Sequence, residues 1–178
     1  MREREGSLPP AIAAALVFSA TPTSTDVVLD PTCGSGTLLA EISSYASRAK
    51  RIGTDIDPQA IAIATENLKH SGDEPPLLLN VDSRNLDAKI SEVSLVVANL
   101  PFGIKFGDRK TNAELYQSIF EKCYQVRGPK WRAAILTSDK TSLDTALSRL
   151  GFLESQELFR VKIRGELAVA VLLTSRAK

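Results

Sequence analysis

The sequence predicts an α/β domain: a mostly parallel sheet with helices on both faces, closed at the C-terminal end by an antiparallel hairpin. Three observations predict it. Short apolar runs alternate with amphipathic segments along the whole chain, each apolar run ends at a polar residue or a turn, and the last part holds two β-like runs separated by Arg164-Gly165-Glu166. A strand covered on both faces is apolar throughout while its crossover helix is apolar on one side, so the alternation reads as successive βαβ units.

In chain order, Pro9-Pro10 opens an alanine-rich helix through Phe18, and a Thr/Ser/Pro linker follows over 21–25. The helix is expected to pack at the sheet's edge. Strands are predicted over 27–29, 51–54, 77–79, 95–98 and 133–136, and helices over 38–49, 58–70, 112–126 and 140–150. The start of the second of these helices is well marked, because Asp57 reads as its N-cap and Pro58 takes the first helical position, where a missing N–H costs nothing. The hairpin is predicted over 158–163 and 167–174, which brings the sheet to seven strands.

The 178 residues fit one domain, with 1–25 as an N-terminal helix and linker packed on a core of 26–178. Composition is that of a soluble globular protein, 43% hydrophobic and 24% charged, without an apolar run long enough to span a bilayer, so no membrane role is expected. The opening Met-Arg-Glu-Arg-Glu-Gly is too charged for a signal peptide, and Cys33 and Cys123 suggest no disulfide framework, which points to the cytoplasm. A net charge of +1 excludes a polycation that holds nucleic acid by bulk attraction, so any such contact needs a local patch or a partner.

Asp30-Pro31-Thr32-Cys33-Gly34-Ser35-Gly36-Thr37 lies between a predicted strand and helix, where open α/β sheets bind ligands. Leu39 stands where a dinucleotide fingerprint has its third glycine, and no Gly-Lys-Ser/Thr follows, so NAD and a P-loop nucleotide both lose ground. At the end of the second strand, in Gly53-Thr54-Asp55-Ile56-Asp57, Asp55 is the candidate to accept ribose hydroxyls, since Asp57 is needed as the cap. After the third strand, Asp82 in Asn80-Val81-Asp82-Ser83 can accept from an adenine amino group, although alone it reads as a solvated loop aspartate. Three acids at successive strand ends beside a glycine loop describe a site for an adenosine-containing ligand without phosphate.

Asn99-Leu100-Pro101-Phe102-Gly103 ends the fourth strand. Taken alone it is a common turn. Beside a cofactor loop it suggests another role, because an exocyclic amine on an aromatic ring is a poor nucleophile whose lone pair must be localised. The Asn99 side-chain oxygen and the Leu100 carbonyl can accept from such an –NH2, Pro101 stiffens the carbonyl's direction, and Phe102 offers a ring for a flipped base.

These two motifs, with Ser7-Leu8-Pro9-Pro10, Leu115-Tyr116 and Leu136-Thr137-Ser138-Asp139, resemble the Rossmann-fold methyltransferase domain of the tRNA guanine-N2 methyltransferases that usually carry an N-terminal THUMP RNA-binding domain. The resemblance runs across essentially the whole chain. It implies a class I S-adenosylmethionine-dependent methyltransferase fold, with S-adenosylhomocysteine as product. By position it implies that Asp30, Thr32, Cys33, Gly34, Ser35, Gly36 and Thr37 hold the methionine part of the cofactor, Asp55 with Ile56 the ribose region, Asp82 and Ser83 the adenine edge, and Asn99 to Phe102 the target amine. The Asn-Leu-Pro-Phe form favours this group over the Asn-Pro-Pro-Tyr form of adenine-N6 and glutamine-N5 methyltransferases. Only a few charged residues precede Ser7, so no THUMP domain is expected here: the chain reads either as an excised domain or as a short protein that finds tRNA in another way, and a separate RNA-binding domain or subunit is one route open to it.

Lys105, Arg109 and Lys110 border the proposed pocket as phosphate contacts for RNA; Arg160, Lys162 and Arg164 alternate along a strand and read equally as edge protection. No metal is expected, because two cysteines and the distant His70 make no ligand set. His70 is expected to favour a helix C-terminus, Cys33 to pack as a small residue, and Trp131 to cover the start of a strand. Two other functions stay open on sequence: adenine-N6 or protein glutamine-N5 methylation, and a cofactor-binding subunit inactive without an RNA-binding partner.

Overall fold

The computed structural model describes residues 7–86, 90–101 and 111–176. In order the elements are α1 (Pro10–Ala20), β1 (Val27–Asp30), α2 (Thr37–Tyr45), β2 (Lys50–Asp55), α3 (Pro58–Leu68), β3 (Leu77–Asn80), a 3-10 turn (Ser83–Asn85), β4 (Val93–Asn99), α4 (Asn112–Gln125), β5 (Arg127–Thr137), α5 (Lys140–Leu150), β6 (Leu153–Ile163) and β7 (Glu166–Ser175). They form one seven-stranded sheet in the order β3-β2-β1-β4-β5-β7-β6. Strands β1 to β5 pair in parallel, and β7 runs antiparallel to both its neighbours. The predicted architecture, hairpin included, is the one observed.

Alternation along the strands decides which helices lie on which face. Val96 and Ala98 of β4 pack with Tyr116 and Phe120 of α4 and Leu143 of α5, whereas Leu95 and Val97 pack with Leu16 of α1 and Leu38 and Ile42 of α2. Burial on both sides explains why the central strands read as unbroken apolar runs. Below the sheet, Asp26 before β1 meets Arg132 of β5 through two hydrogen bonds, at 2.9 and 3.1 Å, and accepts the Ser94 hydroxyl at 2.6 Å. Arg132 also donates to the carbonyls of Ala20 and Thr21, so one ion pair fastens the α1 linker to the sheet.

Boundaries differ where solvent relaxes the pattern. Helix α2 stops at Tyr45, because Ala46 leaves helical geometry (φ −142°) to turn the chain back into β2. Helix α3 ends at Leu68, so His70 stands beyond it rather than in its last turn. Strand β6 begins at Leu153, five residues before the predicted start; its exposed 154–157 stretch lies on the sheet's outer edge, where no apolar alternation is required. Arg164 sits in the hairpin turn with φ 52° and so leaves the alternation expected of it, while Arg160 is paired with Glu157 at 2.8 Å. Trp131 lies inside β5 and is buried, edge-on to Tyr124 with ring centres 5.6 Å apart, instead of covering the strand's start.

The sheet's neighbour order reverses where β1 and β4 run side by side. In open α/β sheets the crevice beyond such a reversal is where ligands bind. The Asp30 loop and the Asn99 turn both leave the sheet there.

Candidate functional site

The loop from Pro31 to Gly36 is held in shape from several directions. The Cys33 N–H donates to the Thr54 carbonyl at 2.9 Å, and the Gly34 N–H to Asp55 Oδ2 at 2.9 Å. From α3, Asn67 Nδ2 donates to the Ser35 carbonyl at 3.0 Å, and the hydroxyls of Thr54 and Ser83 both donate to the Pro31 carbonyl. Two glycines have separate reasons. Gly34 takes φ 53°, and a Cβ there meets nothing within 4 Å, so its backbone faces open space where a ligand can approach closely. Gly36 takes φ 84° at the start of α2, and a Cβ there would lie 2.7 Å from Leu68 Cδ1, so this position serves helix packing. Cys33 is buried with Leu39, Ala64 and Leu68, and burial pushes its thiol far above the ordinary range. It packs as a small apolar residue.

The acids divide into distinct environments. Asp30 is almost wholly buried, with its carboxylate accepting the Thr32 N–H at 3.1 Å; burial first, and then the nearby charge of Asp55, push it up to about 8. Asp55 is half-buried and oriented by two backbone donors, Gly34 on one oxygen and Asp57, at 2.9 Å, on the other. Asp57 caps α3 by accepting the Gln59 N–H at 2.8 Å. Ile56 beside them leaves 66% of its surface exposed, an apolar platform on the cleft wall. Asn80 Nδ2 holds this segment through the carbonyls of Asp55 and Ile56, both at 2.9 Å. Asp82 accepts the Arg84 N–H at 2.9 Å and receives the Arg84 guanidinium, whose hydrogen bonds hold its carboxyl below the usual range. Arg84 is a cleft residue that the sequence reading missed; its only signal is an arginine two positions after an acid that opens a turn.

At the end of β4 the ladder continues one residue further, the Leu100 N–H donating to the Leu136 carbonyl at 2.9 Å. Leu100 is buried and anchors the turn. Asn99 Oδ1 is buried yet has no hydrogen-bond partner among the described residues, a state that costs about 1–3 kcal/mol and calls for an explanation. The Asn99 carbonyl accepts from Thr32 Oγ1 at 3.4 Å, which links this turn to the glycine loop. Pro101 is fixed by a residue whose role sequence reasoning did not find. The Tyr116 hydroxyl of α4 donates to the Pro101 carbonyl at 2.6 Å and lies 2.9 Å from Thr137 Oγ1, and burial pushes the phenol up to about 12. Phe102, Lys105, Arg109 and Lys110 lie outside the described residues.

Together these segments border a cleft of about 670 Å³ that runs from Thr32, Asp55 and Asp82 past Pro101 to one face of α4. That volume suits a nucleoside-sized ligand with room for a second group. One end offers acidic acceptors and an apolar platform; the middle is bordered by Pro101, directly after Asn99 and Leu100 in the turn. Such an arrangement can hold a ligand rich in hydroxyl and amine donors beside a second ligand bearing an –NH2.

Residues 1–168 match the family model described as UPF0020, RMKL-like, methyltransferase domain. The chain is 31% identical over 145 residues to the tRNA (guanine(6)-N(2))-methyltransferase THUMP3 of Bos taurus, covering 74% of this chain and 29% of that protein. It is 32% identical over 143 residues to the tRNA (guanine(6)-N2)-methyltransferase of Thermus thermophilus, covering 80% of this chain and 43% of that protein. The crystal structure of TrmN from Thermus thermophilus superposes with a TM-score of 0.83 at 27% identity, over 95% of this chain and 49% of that one. The chain thus spans less than half the length of each of these relatives.

Proposed function

Because this chain belongs to the UPF0020 family of RMKL-like methyltransferase domains, we propose that it transfers a methyl group from S-adenosylmethionine to an exocyclic amino group of a nucleic-acid base, guanine N2 of tRNA. The observation that carries this reading is Asn99 Oδ1, a buried acceptor at the end of β4 with no donor among the described residues. An –NH2 supplies that donor.

The residues around the glycine loop fit the cofactor. Open space over Gly34, the exposed face of Ile56 and the oriented Asp55 carboxylate suit an adenosine with free ribose hydroxyls, with Asp82 and Ser83 at its base edge. Asp30 and the 32–37 loop would hold the methionine part, where an ammonium group meets carboxylates and loop carbonyls. Bound there, S-adenosylmethionine supplies an electrophilic methyl on a sulfonium and leaves as S-adenosylhomocysteine. Asn99 Oδ1 and the Leu100 carbonyl accept the two amine hydrogens, which directs the nitrogen lone pair away from the turn, toward the cofactor side of the cleft. Tyr116 and Thr137 keep the Pro101 carbonyl, and with it the turn, from rotating. An amide oxygen takes no proton, so the amine's proton leaves to water. A base stacked in a helix hides its amine, so the target is flipped out to reach this depth.

The test is methyl transfer from labelled S-adenosylmethionine to bulk unmodified tRNA at low salt, comparing the chain with Asn99→Ala and digesting the product to nucleosides. Label in N2-methylguanosine that vanishes in the variant supports the reading. Cofactor binding without labelled tRNA withdraws the tRNA substrate, and label in N6-methyladenosine or in protein glutamine replaces it.

A further inference from the structure

The face of α4 that borders the cleft consists of Thr111, Glu114, Leu115, Ser118 and Ile119, spaced as one stripe of a helix. Glu114 is the one ionisable side chain among them. It has no hydrogen-bond or ion-pair partner among the described residues, and it is exposed to the cleft. Its helix is rigidly placed against the Asn99 turn: two residues on, Tyr116 donates to the Pro101 carbonyl at 2.6 Å, and two residues back, Asn112 Nδ2 donates to Asp139 Oδ2 at 2.9 Å. An exposed carboxylate therefore shares the lining of one cleft with Pro101, the residue that follows Asn99 and Leu100 in the turn.

From this juxtaposition, and resting on the function proposed above, we infer that Glu114 selects guanine by accepting the N1–H of the flipped base while Asn99 and Leu100 hold its N2 amine. Guanine carries two neighbouring donors on its Watson–Crick edge, N1–H and N2–H2, and the site presents acceptors to both. Adenine places a lone pair at N1, which faces the carboxylate as acceptor against acceptor and leaves a charged group without a donor. Glu114 transfers no proton; it determines which base is held with its amine at the Asn99 turn. The competing account is that Glu114 only favours the N-terminal end of the α4 dipole. That account makes no statement about bases.

The experiment uses a tRNA assembled by ligation, with either guanosine or 2,6-diaminopurine riboside at the position found labelled. Both bases offer an N2 amine, but diaminopurine has an acceptor at N1. The wild-type chain is expected to prefer guanosine in kcat/KM by about 5- to 150-fold, the range of one good base contact. Glu114→Gln, whose amide can either accept from guanine N1–H or donate to diaminopurine N1, is expected to bring the two substrates to within a few-fold. Glu114→Ala is expected to lower kcat/KM for guanosine with cofactor Kd unchanged, which separates recognition from misfolding. A wild-type preference retained in Glu114→Gln overturns the inference and leaves the proposed function standing. If the wild-type chain forms no N2-methylguanosine at all, the proposed function falls, and this inference with it.

Discussion

Asp30 shows how one buried residue can make stability depend on pH. Its carboxyl is pushed from the ordinary 3.8 up to about 8, so the ligand-free folded chain holds a proton that the unfolded chain has given up. Stability then falls as pH rises through that window, and levels off above it. Asp30→Asn, which does not ionise, is expected to flatten this dependence, read from urea midpoints at about pH 5 and about pH 8 without cofactor. Tyr116 makes a different kind of prediction. Tyr116→Phe removes the hydroxyl that steadies Pro101, and is expected to lower kcat about tenfold, with cofactor Kd unchanged and a stability loss of about 1 kcal/mol. A variant that lost cofactor affinity instead would place Tyr116 in the cofactor site. Asp55 and Asn99 were legible in sequence because each ends a strand beside a turn residue. Tyr116 and Arg84 were not: the tyrosine reads as an aromatic on a helix's apolar face, and its bond to Pro101 spans fifteen residues that no local pattern records.

At the scale of elements, the central strands and the start of α3 were legible for the same physical reason: burial on both faces, or a cap with proline, leaves little alternative. The edges were not. The polar start of β6 lies where the sheet ends, and solvent permits any side chain there. The Asp26–Arg132 pair was also invisible, since it joins positions 106 apart. Burial alone would raise the Asp26 carboxyl, but the Arg132 guanidinium, helped by Ser94 and Thr23, holds it well below the usual range, so its contribution is present at neutral pH and lost on acidification. Removing one partner strands the other. Arg132→Leu is expected to cost about 3 kcal/mol at neutral pH, measured by urea denaturation, with less difference from wild type in acid. An unchanged midpoint would mean that the linker and sheet hold without this clamp.

For the whole molecule, a net charge of +1 over 178 residues gives little long-range attraction for a polyanion. The chain spans less than half of its longer relatives, so the expectation of a separate RNA-binding domain or subunit becomes a proposal about affinity. Filter binding of bulk tRNA by the isolated chain is expected to be weak and to disappear between about 50 and 200 mM salt, while cofactor affinity stays constant. Tight binding that survives the higher salt would place the RNA grip within this domain. The fold class was legible because alternation and hairpin are global patterns; how the proposed RNA substrate is held was not, because +1 is a sum and conceals how charge is arranged.

The position of β7 carries a consequence for how the molecule is made. It follows β6 in the chain, yet it lies between β5 and β6, with Ala168, Ala170 and Leu173 buried. During synthesis, β6 leaves the ribosome with no partner in the sheet, and β5 keeps a bare edge until β7 arrives. The interior is then sealed in one late step. A chain stopped before Glu166 would keep every residue of the cofactor loop and the Asn99 turn, and still leave two open strand edges, each a template for another chain.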